Sequence, residues 1–242
     1  MRTTPASEYK EVARSGRERW REFQKFLDRR TSQNWIFRGV TDTSHELKPK
    51  IGRKGTVSSA EERRLLEAFK GQARPYLTNS PDRGDDWAWL AVAQHHGLPT
   101  RLLDWTTNPL IAAFFAVQSG KDTDGKIHAA EMPDLLSLQD EKETGPFKQT
   151  TVKIFRPALF IPRIASQSGM FTILPEPHKA WEQPRIKGLR AAFIVEWRHK
   201  PYFQHRLAQL GVHAGTVMSD VDGVAAALTW YHNAGLAPPE FS

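Results

Sequence analysis

Residues 93–117, AQHHGLPTRLLDWTTNPLIAAFFAV, constrain the chain more than any other stretch. They begin as a polar, cationic loop and end as an apolar helix. Asn108 followed by Pro109 marks the start of that helix, because a side-chain oxygen caps the first turn and proline needs no partner for a missing N–H there. Leu102–Trp105 reads as a short strand or tight turn leading into it. Asp104 is a carboxylate in this apolar frame. Buried without a partner it would cost several kcal/mol or take up a proton. It therefore needs Arg38, Arg101 or main-chain N–H groups.

Periodicity supplies the neighbours. Trp20, Phe23 and Leu27 recur at helical spacing, so one amphipathic helix is expected over 8–30. NWIFRGV, 34–40, is a short β-branched and aromatic run with the character of a buried strand. Residues 41–58 are polar, with one proline and two glycines, and read as a loop. Ser59 with Glu62 three residues on predicts a capping box that opens a helix. DWAWLAVAQHHG is a helix closed by Gly97. KIHAAEM, GMFTIL and AAFIVEW are strand-like, as is TVKIFRPALFIPRI, whose prolines suggest an edge. LLSLQDEKETGPF is a loop or a short helix. PYFQHRLAQLG is a helix closed by Gly211, and DVDGVAAALTWYHNAG is a last helix capped by Asp220 or Asp222. Helices dominate the first half and strands the second. The expectation is one α+β domain with a mixed or antiparallel β core, a helical insertion after the first strand and an N-terminal helix. Residues 1–33 form a helical extension packed on a domain spanning 34–242.

The chain has no cysteine, which removes disulfides, thiolate metal sites and cysteine nucleophiles together. No apolar run of membrane-spanning length is present and the N-terminus has no apolar signal core, so a cytoplasmic protein without membrane contact is expected. The net charge of +7 suits either plain solubility or a surface for polyanions. Residues 141–200 hold eleven Lys or Arg against five Asp or Glu, interleaved with aromatics, in keeping with a nucleotide or nucleic-acid surface. Phosphate-loop, dinucleotide-fingerprint, zinc-protease and serine-elbow patterns are all absent. No metal is expected.

Three polar segments beside apolar elements remain as site candidates. In Phe37-Arg38-Gly39, a guanidinium at the end of a buried strand suits a phosphate or carboxylate, and the glycine permits close approach. The competing view is that Arg38 serves only to pair with Asp104; in either case the two side chains are expected within hydrogen-bond reach. In HHGLPTRLLDWTTNP, Thr100, Thr106 and Thr107 offer hydroxyls, His95 is a candidate acid or base, and Trp105 is a candidate stacking surface or a core residue. In RIASQSGMFTI, Gln167 either meets a ligand edge or forms a turn.

The ordered series FRG at 37–39, QHHGLPTRLLDWT, a helix ending AAFFA, RPALFIPRIASQSGMFTI and LGV…SDVDGVA resembles the FRG domain family from residue 20 onward. His96 stands where the family usually has an aromatic, and Met218-Ser219 replaces a more usual Phe-Pro. The arrangement is also similar to ADP-ribosyltransferases, which grip NAD with a first-strand Arg or His, carry hydroxyls on a second strand and place a Glu or Gln-x-Glu on a later one. That resemblance implies NAD as co-substrate, with Arg38 and Arg101 on its pyrophosphate and Asp104 against the ribose. His95 would orient the ribose or take the acceptor proton. Gly39, Thr100, Trp105, Thr106 and Thr107 would line the site, and Gln167 or Glu196 would supply the third element. No Glu-x-Glu is present. A protein or nucleic-acid acceptor, and a toxin or phage-conflict role, are implied with it. Three other classes stay open: a non-catalytic nucleotide or nucleic-acid binding module, a metal-dependent nuclease built on Asp104, Asp220 and Asp222, and a structural or partner role.

Overall fold

A computed structural model describes residues 6–119, 122–157, 162–184, 186–189 and 191–237, with main chain alone for residues 6–12. Among the described residues six strands form one open, wholly antiparallel sheet: β1 (Trp35–Val40), β2 (Leu102–Thr106), β3 (Gly125–Glu131), β4 (Lys153–Phe155), β5 (Gly169–Ile173) and β6 (Ala192–Val195), in the order β4-β5-β2-β1-β3-β6. Nine α-helices accompany it: α1 (Ala6–Asp28), α2 (Ser59–Ala73), α3 (Asp86–His95), α4 (Pro109–Val117), α5 (Leu138–Glu143), α6 (Pro162–Ser166), α7 (Lys200–Gln209), α8 (Ala214–Met218) and α9 (Val221–Asn233). The fold is α+β, and α2 and α3 are the helical insertion between the first two strands. No helix among the described residues is long and apolar enough to cross a membrane.

Alternation along the strands sorts the side chains onto two faces. One face carries two separate cores. Phe37, Ile127, Ala129, Phe193 and Val195 on β1, β3 and β6 meet Trp20, Phe23 and Phe26 of α1, the alanines of α4, and Phe203 and Leu207 of α7. Helix α1 is thus an integral layer of this core. Leu102, Phe155, Phe171 and Ile173 on β2, β4 and β5 meet Leu66 of α2 and Trp89, Leu90 and Ala93 of α3. The opposite face is covered by the loops carrying Leu47 and Trp181, over Ile36, Leu103, Trp105, Ala130, Ile154 and Met170.

Helix starts follow local chemistry. Asn108 Oδ1 accepts from Leu110 N (2.9 Å), and Asp220 Oδ1 accepts from Gly223 N (2.6 Å). The expected capping box lies one residue upstream: Ser58 and Glu61 cap α2 reciprocally. Ser58 and Ser59 are each followed by a glutamate at the third position, so the pattern is degenerate, and Glu62 is drawn inward instead. TVKIFRPALFIPRI is a strand only over Lys153–Phe155; Pro162–Ser166 is the short helix α6, and residues 158–161 lie outside the described residues. Pro162 opens that helix, the position where a proline ring fits best.

Candidate functional site

The two cores are separated by a seam between the central strands. The β1–β2 ladder has a single register pair, Phe37 with Thr106, against six pairs for β1–β3 and five for β2–β5. Past that pair the strands no longer match, and polar groups occupy the seam. A cleft of about 260 Å³ opens over it, walled by the end of α3, by α4 and by α6.

Arg38 and Asp104 meet there. Arg38 Nη1 donates to the Asp104 main-chain oxygen (2.7 Å) and to its Oδ2 (3.3 Å). The Arg38 side chain is 14 % exposed and that of Asp104 is 56 % exposed. The carboxylate is therefore open to the cleft while the guanidinium stays recessed behind it. Arg38 Nε is buried without a partner. Burial pulls the Arg38 guanidinium below its usual range, Asp104 pushes it back up, and nearby Arg53 lowers it further. It remains a cation at any ordinary pH. Beside it in register on β3 is His128, whose Nε2 has no partner. Burial, reinforced by Lys126 and Arg38, pushes His128 down to about 3, so the imidazole is neutral.

Gln94, at the end of α3, orders the carboxylate. Its Nε2 donates to both Asp104 oxygens (3.2 and 3.1 Å), and its Oε1 accepts from Thr100 Oγ1 (2.6 Å). Thr100, Gln94, Asp104 and Arg38 form one chain of hydrogen bonds. His95 borders the same cleft. Partial burial lowers its pKa, helped by His96 and Arg163, while Asp220 opposes the shift. Gln167 is present in the wall, and its Nε2 donates to Val217 O (3.2 Å).

Trp105 and Thr106 also border the cleft, but several of the expected residues hold their polar groups on other partners. Arg101 is buried away from the cleft, where Nε donates to Glu62 Oε2 (2.8 Å) and Nη1 to Pro146 O (3.3 Å). It ties β2 to α2 and to the turn at 146–148. Thr106 Oγ1 donates to Gln167 O (2.6 Å) and accepts from Asn108 N (2.9 Å), so its hydroxyl shapes the turn into α4. Thr107 is exposed outside the cleft, and its N–H donates to Ser168 O (3.2 Å). Trp105 belongs to the opposite-face core, where Nε1 donates to Thr172 Oγ1 (3.0 Å). Gly39 borders the cleft, but the space a side chain would fill is taken by α4: a Cβ would lie 1.8 Å from Ala112 O and 2.7 Å from Ala116 N.

Gln94, Arg163 and Phe115 also line the cleft and were not among the expected residues. Gln94 adjoins His95 and ends its helix, a signal that was available in the sequence. Arg163 and Phe115 carry none, since their places depend on where α6 and α4 pack. Asp104 lies in this cleft and Asp220 and Asp222 line a different cavity; among the described residues no group of three or more His, Cys, Asp or Glu is arranged to hold a metal ion.

No curated protein and no solved structure matches the chain. A family model does match, over residues 33–125. That span runs from just before β1 to the first residue of β3. It contains Arg38, Gly39, Gln94, His95, Thr100 and Asp104, while Arg163 and Gln167 lie beyond it. The segment that builds the Arg38–Asp104 seam is the one that matches the FRG domain family.

Proposed function

We propose that the seam is an NAD site and that the protein transfers ADP-ribose to an acceptor or to water, in the manner of the ADP-ribosyltransferases its sequence resembles. The observation that carries this reading is the recessed Arg38 beside the exposed, pre-oriented Asp104 carboxylate at the floor of one cleft. The Arg38 guanidinium at the cleft suits a phosphate, and Arg53 adds positive potential near it. Asp104, fixed by Gln94 and Arg38, supplies a negative charge that needs no reorganisation as positive charge grows on a ribose.

The reaction breaks the bond between ribose C1′ and the nicotinamide nitrogen. Its electron pair leaves with nicotinamide, which becomes neutral, and C1′ develops oxocarbenium character facing Asp104. An oxygen or nitrogen of the acceptor then bonds to C1′ and gives up its proton. His95, whose lowered pKa leaves it neutral near pH 7, is the group in the cleft suited to accept that proton. The basic chain favours an anionic acceptor such as nucleic acid.

One observation favours a second reading. Asp104 already accepts from Gln94 and Arg38, and among the described residues it is the one carboxylate lining the cleft, so a module that binds a nucleotide without turning it over has the same groups. Melting the protein with and without NAD tests what both readings share. A rise in Tm with NAD, lost in Arg38→Ala, is expected; no rise in the wild type removes NAD from both.

A further inference from the structure

A second cavity, about 430 Å³, lies on the far side of α6, enclosed by α4, α7, α8 and α9. It shares one lining residue with the seam cleft, Arg163. The guanidinium of Arg163 donates to Met218 Sδ (2.8 Å), a weak acceptor, and takes part in no ion pair among the described residues. It is a half-buried cation on the partition between two cavities. Phe114 and Phe115 continue that partition. They are adjacent on α4, their rings meet edge to face at 5.4 Å, and Phe115 borders the seam cleft while Phe114 borders the second cavity. The proximity is also electrostatic, since His95 in the first cleft feels both Arg163 and Asp220 of the second cavity.

The second cavity has the chemistry of a base pocket. Trp230 lines it, with Nε1 donating to Gln204 Oε1 (3.4 Å), and offers a flat ring for stacking. His213 also lines it and holds a buried Nδ1 without a partner. Gln118 and Asp222 provide acceptors for an exocyclic amine. Leu207 and Ala227 form an apolar floor. The second cavity falls by itself within the range of roughly 300–1,000 Å³ usual for small-molecule pockets, whereas the seam cleft falls below it.

We infer that the two cavities form one bipartite site for a dinucleotide: the second cavity takes the adenosine half, and Arg163 on the partition grips the diphosphate that links the halves. This rests on the NAD reading and adds to it an adenosine subsite. In that arrangement Arg38 meets the phosphate nearer the reacting ribose and Arg163 the other. A diphosphate between two nucleosides needs a cation at its middle with a pocket at either end, and Arg163 has that position.

The test is calorimetric titration of the full chain with NAD, with nicotinamide mononucleotide and with AMP, on the wild type and on Ala226→Trp. Ala226 is an exposed lining residue of the second cavity, so the larger ring fills that space without disturbing the core. The wild type should bind NAD about tenfold or more tighter than the mononucleotide, and should bind AMP. Ala226→Trp should bring NAD down to the affinity of the mononucleotide, leave the mononucleotide unchanged and abolish AMP binding. Trp230→Ala should weaken AMP and NAD and spare the mononucleotide, which provides a second readout should Ala226→Trp fold poorly. Equal affinity of the wild type for NAD and the mononucleotide, or undiminished NAD binding in both variants, overturns the adenosine subsite and leaves the NAD reading standing. Binding of neither NAD nor the mononucleotide overturns both.

Discussion

Arg38 lies recessed in the seam, and its surroundings set what its removal should cost. Its partner Asp104 is more than half exposed, so removing Arg38 leaves no buried carboxylate unpaired. Arg38→Ala should therefore lower the Tm by only a few degrees, about 1 kcal/mol, while abolishing the stabilisation by NAD. A collapse of the melting transition would instead assign Arg38 to holding the strands together. His128 beside it makes a separate prediction. Its folded pKa of about 3 lies below the unfolded value near 6.5, so the unfolded chain binds the extra proton first. The stability this neutral imidazole allows is complete above pH 6.5 and falls as pH drops from there towards 3, by an amount on the order of a few kcal/mol. His128→Leu should flatten that acid limb in urea titrations run from pH 7 to pH 4. An unchanged slope would mean that the buried histidine does not govern it.

At the scale of elements, the site exists because β1 and β2 are held apart at one end and clamped at the other. Helix α4 lies so close on β1 that a Cβ on Gly39 would strike the carbonyl of Ala112. Gly39→Ala should destabilise the protein by about 3 kcal/mol or more, with the loss seen in the urea midpoint at unchanged m-value. The Arg101–Glu62 pair, both side chains 2 % exposed, fastens β2 to α2 on the other side. Glu62→Ala should cost about 3–5 kcal/mol by leaving a buried charge alone, whereas replacing both residues by apolar ones of similar volume should cost far less. Binding of nicotinamide mononucleotide by the folded fraction should be unchanged in either case.

These same elements mark how far the sequence could be read. Helix α4 was legible from Asn108-Pro109 and α9 from Asp220, because caps are local chemistry. Strand β1 was legible from its apolar run, and the polar Arg38 within it marked a candidate site residue. The expected proximity of Arg38 and Asp104 followed from charge balance alone. Arg101 could not be told apart from Arg38, since its partner Glu62 lies 39 residues away and becomes visible only once α2 packs. Thr106 looked like a ligand hydroxyl because nothing in the sequence reveals that Gln167 O will sit within 2.6 Å of it. Glu62 and Glu61 compete for one capping pattern, and packing decides between them.

At the scale of the molecule, one antiparallel sheet carries two cores on a single face, and the gap between those cores is the cleft. A continuous core would have closed over Asp104. The chain keeps it open by bringing α3, α4 and α6 to its rim and by placing Arg38 and Gln94 where an apolar pair would otherwise meet. The segment that matches the FRG domain family supplies the floor of this cleft, and elements beyond residue 125 supply the rest of its walls.

An NAD-consuming site is tested most directly by the nicotinamide set free when the purified protein is incubated with NAD, measured beside Arg38→Ala and Asp104→Ala. The wild type should release nicotinamide, and each variant should do so at least about a hundredfold more slowly, the scale expected when one preorganised electrostatic partner is removed. Release that persists in both variants, or no release and no binding by the wild type, would contradict it.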